Sequence, residues 1–71
     1  MTLQALGPWI QETDLGGWDR LWDGNSIAYC THGPIWWHGY VNDKTIGVFY
    51  SAQEAKEEID VILRQEGWYL L

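Results

Sequence analysis

IWWHGYVNDKTIGVFY, residues Ile35 to Tyr50, consists of two runs of β-branched and aromatic residues separated by the polar segment Asn42-Asp43-Lys44-Thr45. Side chains of those classes suit a pleated, half-buried surface, and the polar segment suits a tight turn, so the stretch reads as an antiparallel hairpin. Strand alternation sets Ile35, Trp37 and Val41 with Ile46, Val48 and Tyr50 on one side, and Trp36, His38 and Tyr40 with Phe49 on the other. Both sides are apolar, whereas an antiparallel sheet with one solvated face shows polar residues there, so the hairpin has to be covered twice.

C-terminal to the hairpin, Ser51-Ala52-Gln53-Glu54 has the form of a capping box, in which the serine hydroxyl accepts from the N3 amide and the glutamate reaches back. Ala52, Ala55, Ile59, Ile62 and Leu63 then recur at helical spacing, with Glu57, Asp60 and Arg64 largely opposite them. Asp60 and Arg64 make an i,i+4 pair in the favourable orientation. Gly67 suits the left-handed C′ position and Trp68 is placed to touch Leu63, as in a Schellman motif. The helix therefore spans 51–67, and residues 68–71 form an edge strand or a packed tail.

N-terminal to the hairpin, His32-Gly33-Pro34 ends a short strand, Ile27 to Thr31. Asp23-Gly24-Asn25-Ser26 is a turn. Trp18, Arg20 and Trp22 alternate with Asp19, Leu21 and Asp23 as in a strand, with a single helical turn stacking Trp18 on Trp22 as the other reading. Gly16-Gly17 is a break, and residues 1–17 are an irregular arm interrupted at Gly7-Pro8, with Leu3, Leu6, Trp9 and Ile10 laid on the domain. The expected fold is α+β, one domain over residues 1–71, with a three- to four-stranded antiparallel meander over 18–50 packed on one C-terminal α-helix.

A chain of 71 residues buries only about 60% of the surface its unfolded form exposes, and its six tryptophans supply core area that a small domain otherwise lacks. A single cysteine gives no intramolecular disulfide framework, and no N-terminal segment resembles a signal peptide, from which a cytoplasmic location is expected. No apolar run is long enough for a membrane span. The formal net charge of −6 disfavours direct nucleic-acid binding and suits either solubility or a basic protein partner.

Cys30, His32 and His38 lack the paired spacing of a metal site, so neither metal nor cofactor is expected. Nothing near Cys30 in sequence would lower its thiol pKa for nucleophilic work. The carboxylates cluster on the helix, where a solvated face is the ordinary role, and a domain this small has little room for a desolvated cleft, so no catalytic residue is assigned.

The run Ile46-Gly47-Val48-Phe49-Tyr50-Ser51-Ala52-Gln53-Glu54-Ala55, following two strands, resembles the strand-to-helix junction of AP2-like DNA-binding domains and integrase arm-binding domains, and also small phage-encoded proteins. The resemblance covers Ile27 to Leu63 and implies a three-stranded sheet on one helix. The family binds DNA through a basic sheet, whereas the matching strands here carry Trp36, Trp37, His38 and Tyr40, with Lys44 alone basic.

One helix covers one side of the hairpin, and the aliphatic side is assigned to it. The aromatic side falls to the arm around Trp9, to a second copy in a homodimer, or to a partner. The leading expectation is a non-enzymatic protein-interaction module, of the kind a phage or mobile element uses to inhibit a host protein such as a CRISPR effector or nuclease. It would contact a basic surface through Trp36, His38, Tyr40 and Phe49 and through the carboxylates of Glu54, Glu57, Glu58 and Asp60. The alternatives are an AP2-like nucleic-acid module with aromatics stacked on unpaired bases, and a small-ligand or carbohydrate site among the tryptophans.

Overall fold

A computed structural model describes residues 5–12 and 16–71; the expected placement of Leu3 lies outside them. Five strands form one antiparallel sheet in the order β2 (Ile10–Gln11), β3 (Trp18–Trp22), β4 (Asn25–His32), β5 (Trp37–Val41) and β6 (Lys44–Phe49). The single helix among the described residues, α1 (Ala52–Gln65), packs across β4, β5 and β6. A second, two-stranded sheet pairs β1 (Ala5–Leu6) in parallel with β7 (Tyr69–Leu70), which settles the C-terminal tail as a strand. The α+β expectation holds, with the arm contributing a fifth strand to the meander.

Two turns are tighter than the four-residue segments suggest. Asp23 and Gly24 both have positive φ, as do Asn42 and Asp43, so each hairpin closes through two residues and the flanking polar residues join the strands. This backbone twist matches that of the strands it joins. The helix lies between the expected caps, Ser51 and Gly67, with the serine half of the capping box formed. Ser51 Oγ accepts from the Glu54 amide at 3.1 Å. At the other end Gly67, at φ +94, donates to Arg64 O while Trp68 donates to Leu63 O, both at 3.1 Å. Those two bonds complete a Schellman motif.

The face assignment along β6 needs correction. Gly39 pairs with Gly47, yet the next pair is Tyr40 with Thr45, which leaves Ile46 as an extra residue in β6. A bulge of one residue reverses the alternation beyond it. Ile46 and Phe49 therefore lie together on the helix side, around Gly39 and against Ile59, while Val48 pairs with His38 on the other side. Val48, Tyr50 and Ile35, expected under the helix, are 55%, 77% and 72% exposed, and Phe49, expected beside Tyr40, packs on the core.

The core between sheet and helix is made of Leu6, Ala28, Cys30, Val41, Ala55, Ile59 and Leu63, all buried, with Trp18, Trp37, Phe49 and Trp68 packed around them. Small residues on β4 and β5 let the helix approach closely, and the tryptophans close the rim. Lys56 places its ammonium 3.8 Å from the centre of the Trp18 ring. Trp22 meets Trp68 edge to face at 5.9 Å.

The arm is fastened by a polar node. Arg20, 4% exposed, directs Nε and Nη2 to the two oxygens of Asp60 at 2.9 and 3.1 Å, and its Nη1 to the main-chain oxygens of Gly7 and Leu71 at 2.8 and 2.9 Å. The Trp9 indole donates to the same carboxylate at 3.1 Å. Asp60 therefore pairs with Arg20 and not with Arg64. A fork-to-fork pair in a sheltered position outweighs the few tenths of a kcal/mol of an exposed i,i+4 pair.

Candidate protein-interaction face

With α1 and the Trp9 segment on one side, the other side of the sheet has no layer over it among the described residues. Pairing fixes what it presents: Asp19 opposite Tyr29, Tyr29 opposite Tyr40, Thr31 opposite His38, and His38 opposite Val48. Tyr29 and Tyr40 stack with ring centres 4.6 Å apart and planes 18° from parallel. Beyond the Trp37–Phe49 pair, Trp36 and Tyr50 meet edge to face at 4.9 Å. Together with Ile35 and Val48 they make an exposed apolar end to the sheet.

The eight residues expected to bind a partner are not brought together. Trp36, His38 and Tyr40 follow one alternation on β5 and its approach, whereas Phe49 is on the helix side. Glu54, Glu57 and Glu58 are exposed on α1, so the sheet stands between them and the tyrosine pair. Gln53 donates to Glu57 at 2.9 Å along the same surface. Asp60 is held by Arg20 and Trp9 and does not belong to the exposed acidic face.

Trp9 is also on the helix side, since its indole bonds Asp60. Trp9 therefore does not cover the tyrosines; Ile10, opposite Asp19, is on their side of the sheet and is itself 46% exposed. Tyr29 and Asp19 were not singled out in the sequence. Both sit one residue from a core position, Cys30 or Arg20, and that alternation was the available signal.

Electrostatically this side is acidic and uncharged by turns. Asp19, 8% exposed, accepts from Ser26 Oγ at 2.8 Å. Burial, then the charges of Asp43, Tyr40 and Asp19, push the Tyr29 phenol above its ordinary value, so it stays a neutral donor at physiological pH. Of the four basic residues, Arg20 is enclosed in its ion pair and Lys56 lies on Trp18. The pairs that define the open side carry no lysine or arginine among the described residues.

The three soft or imidazole ligands diverge. Cys30 is fully buried under the helix, and burial raises its thiol pKa to about 11, which holds it protonated at neutral pH. His32 lies edge to face on Trp37 at 5.0 Å, and His38 lies against Gly33. No group of three His, Cys, Asp or Glu side chains is arranged for a metal among the described residues. No helix among them is long and apolar enough to cross a membrane. Comparison with protein-family models, curated proteins and solved structures returned no match.

Proposed function

We propose that this chain is a small acidic, non-enzymatic protein-interaction module that docks through the open side of its sheet. The observation that carries the reading is that this side is aromatic and, among the described residues, uncovered: the Tyr29–Tyr40 stack runs toward Trp36 and Tyr50, and the helix and the Trp9 segment are both on the other side. Tryptophan and tyrosine dominate interface hot spots because they bury large area with few rotatable bonds. Exposed apolar patches of this kind on a small domain mark contact surfaces.

The net charge of −6 gives the partner its sign. Glu54, Glu57 and Glu58 lie across the domain from the tyrosines, so in this reading they steer a basic partner from a distance while the aromatic side makes contact. An inhibitor from a phage or mobile element that occupies a basic nucleic-acid channel of a host nuclease, such as a CRISPR effector, is the finer form of the same proposal. An AP2-like role is weaker, because a sheet that reads DNA needs cations where this one carries Asp19.

The test is capture of a partner from host lysate by the full chain, repeated with Tyr40→Ala and with Trp36→Ala. Loss of capture with both, in variants that stay folded, supports the face. Capture unchanged by either sinks it. Binding to single- or double-stranded DNA that weakens steeply with salt and survives removal of the protein partner transfers the reading to nucleic acid.

A further inference from the structure

Beside the tyrosine stack the open side has a hollow of about 280 Å³, bounded by Glu12, Gly17, Asp19, Ser26, Tyr29 and Thr31. Gly17 at its edge lies so close to β4 that a Cβ there would stand 2.5 Å from Cys30 O. Its volume falls below the roughly 300–1,000 Å³ of small-molecule sites, and suits one protruding side chain. Asp19 lines it, more than nine-tenths buried. One carboxylate oxygen of Asp19, Oδ1, accepts from Ser26, while Oδ2 has no hydrogen-bond partner among the described residues.

We infer that this hollow receives an arginine side chain of the partner. The inference rests on the interaction reading above and names the chemistry of its contact. A sheltered carboxylate with a spare oxygen calls for a cationic donor, and its attraction is stronger there than in open water. The Tyr29 ring at the wall offers a face on which a planar guanidinium can lie, which an ammonium uses less well. The surrounding charge of −6 draws a cation in.

The experiment is a titration of the isotope-labelled full chain, followed by amide NMR, with the tripeptide acetyl-Gly-Arg-Gly-amide and with its citrulline counterpart, which keeps the shape and loses the charge. Saturable shifts at Gly17, Asp19, Ser26 and Thr31 with the arginine peptide are expected, and at least about tenfold weaker binding of the citrulline peptide. Asp19→Asn should weaken the arginine peptide about tenfold as well. Thr31→Arg, which offers a guanidinium from the wall itself, is the second variant, and should abolish the shifts if Asp19→Asn fails to fold. Equal shifts with citrulline, no shifts, or shifts gathered at Glu54, Glu57 and Glu58 overturn the inference. Partner capture that is lost with Tyr40→Ala and unaffected by Asp19→Asn overturns the arginine site and leaves the aromatic face standing; capture unaffected by both overturns the two together.

Discussion

Arg20 and Asp60, forty residues apart in the chain, meet through two parallel hydrogen bonds of 2.9 and 3.1 Å in the seam where the arm, the sheet, the helix and the last strand converge. The guanidinium also takes the Gly7 and Leu71 main-chain oxygens, so one side chain holds both ends of the described chain to its middle. Breaking a sheltered pair by removing one member strands the other charge. Asp60→Ala should therefore cost about 3 kcal/mol, at the low end of the range for buried pairs because the carboxylate remains partly accessible. Replacing both by apolar residues of similar size should recover much of that loss. Denaturant midpoints of the single and double variants decide it, and an unaffected Asp60→Ala would mean the node contributes nothing.

The bulge at Ile46 makes a second claim that can be measured. It turns Phe49 and Ile46 onto the helix side around Gly39, where an added Cβ would lie 3.0 Å from Phe49, 3.2 Å from Ile46 and 3.3 Å from Ile59. Three neighbours from two elements cannot all yield cheaply. Gly39→Ala should destabilise by about 1–3 kcal/mol through overpacking. If Phe49 instead shared the side of Tyr40, the tightest of these contacts would be missing, and the thermal midpoint would fall by less.

Cys30 gives the fold an alkaline limit. Burial, offset in part by a hydrogen bond with the Trp18 backbone and by the Lys56 charge, raises its pKa from 9.0 to about 11. Between those values the folded chain keeps a proton that the unfolded chain has released, so stability is full below about pH 9 and falls as pH rises toward about 11. Two units correspond to a loss of about 2–3 kcal/mol. The raised Tyr29 phenol acts in the same direction once pH passes its ordinary value of 10.0. Urea melts at about pH 8 and about pH 11 should show the loss, and Cys30→Ala should reduce its slope; a slope unchanged in that variant would assign the effect elsewhere.

The parts of this architecture written in local chemistry were legible in the sequence. Ser51, Gly67 and the helical spacing between them act on neighbours a few residues away, and the observed caps are those bonds. What was not legible depends on distant pairing. The bulge is a mismatch between two strands, visible only when Gly39 and Gly47 are seen opposite each other, and it moved Phe49 and Val48 to the wrong sides of the expected site. Asp60 looked like part of a solvated helix face because Arg20 is forty residues away. Tyr40 and Trp36 keep their common side because the extra residue is in β6 and leaves the alternation along β5 intact, while Tyr29 joins them from β4.

Tyr40 decides between an interface and an ordinary surface. It stacks on Tyr29 and lies opposite Thr45, half-buried, with no second layer over it among the described residues. Truncating a fully buried large aromatic costs about 3–5 kcal/mol, whereas losing one stacked partner on an open sheet costs about 0.5–1.5 kcal/mol beyond the area involved. Tyr40→Ala should therefore leave the isolated chain folded, with a stability loss nearer 1–2 kcal/mol. Its association with a partner should weaken by at least about 1–2 kcal/mol, as for a hot-spot aromatic. A second copy of the chain laid symmetrically over the same side would mimic that pattern. Sedimentation of the wild-type chain before the mutant series separates the cases: a monomer that loses partner binding on Tyr40→Ala supports the interaction face, whereas a dimer that dissociates with the same change assigns the aromatic side to self-association. Unfolding of the free chain on Tyr40→Ala would place the ring in a core, and the interaction reading would fall with it.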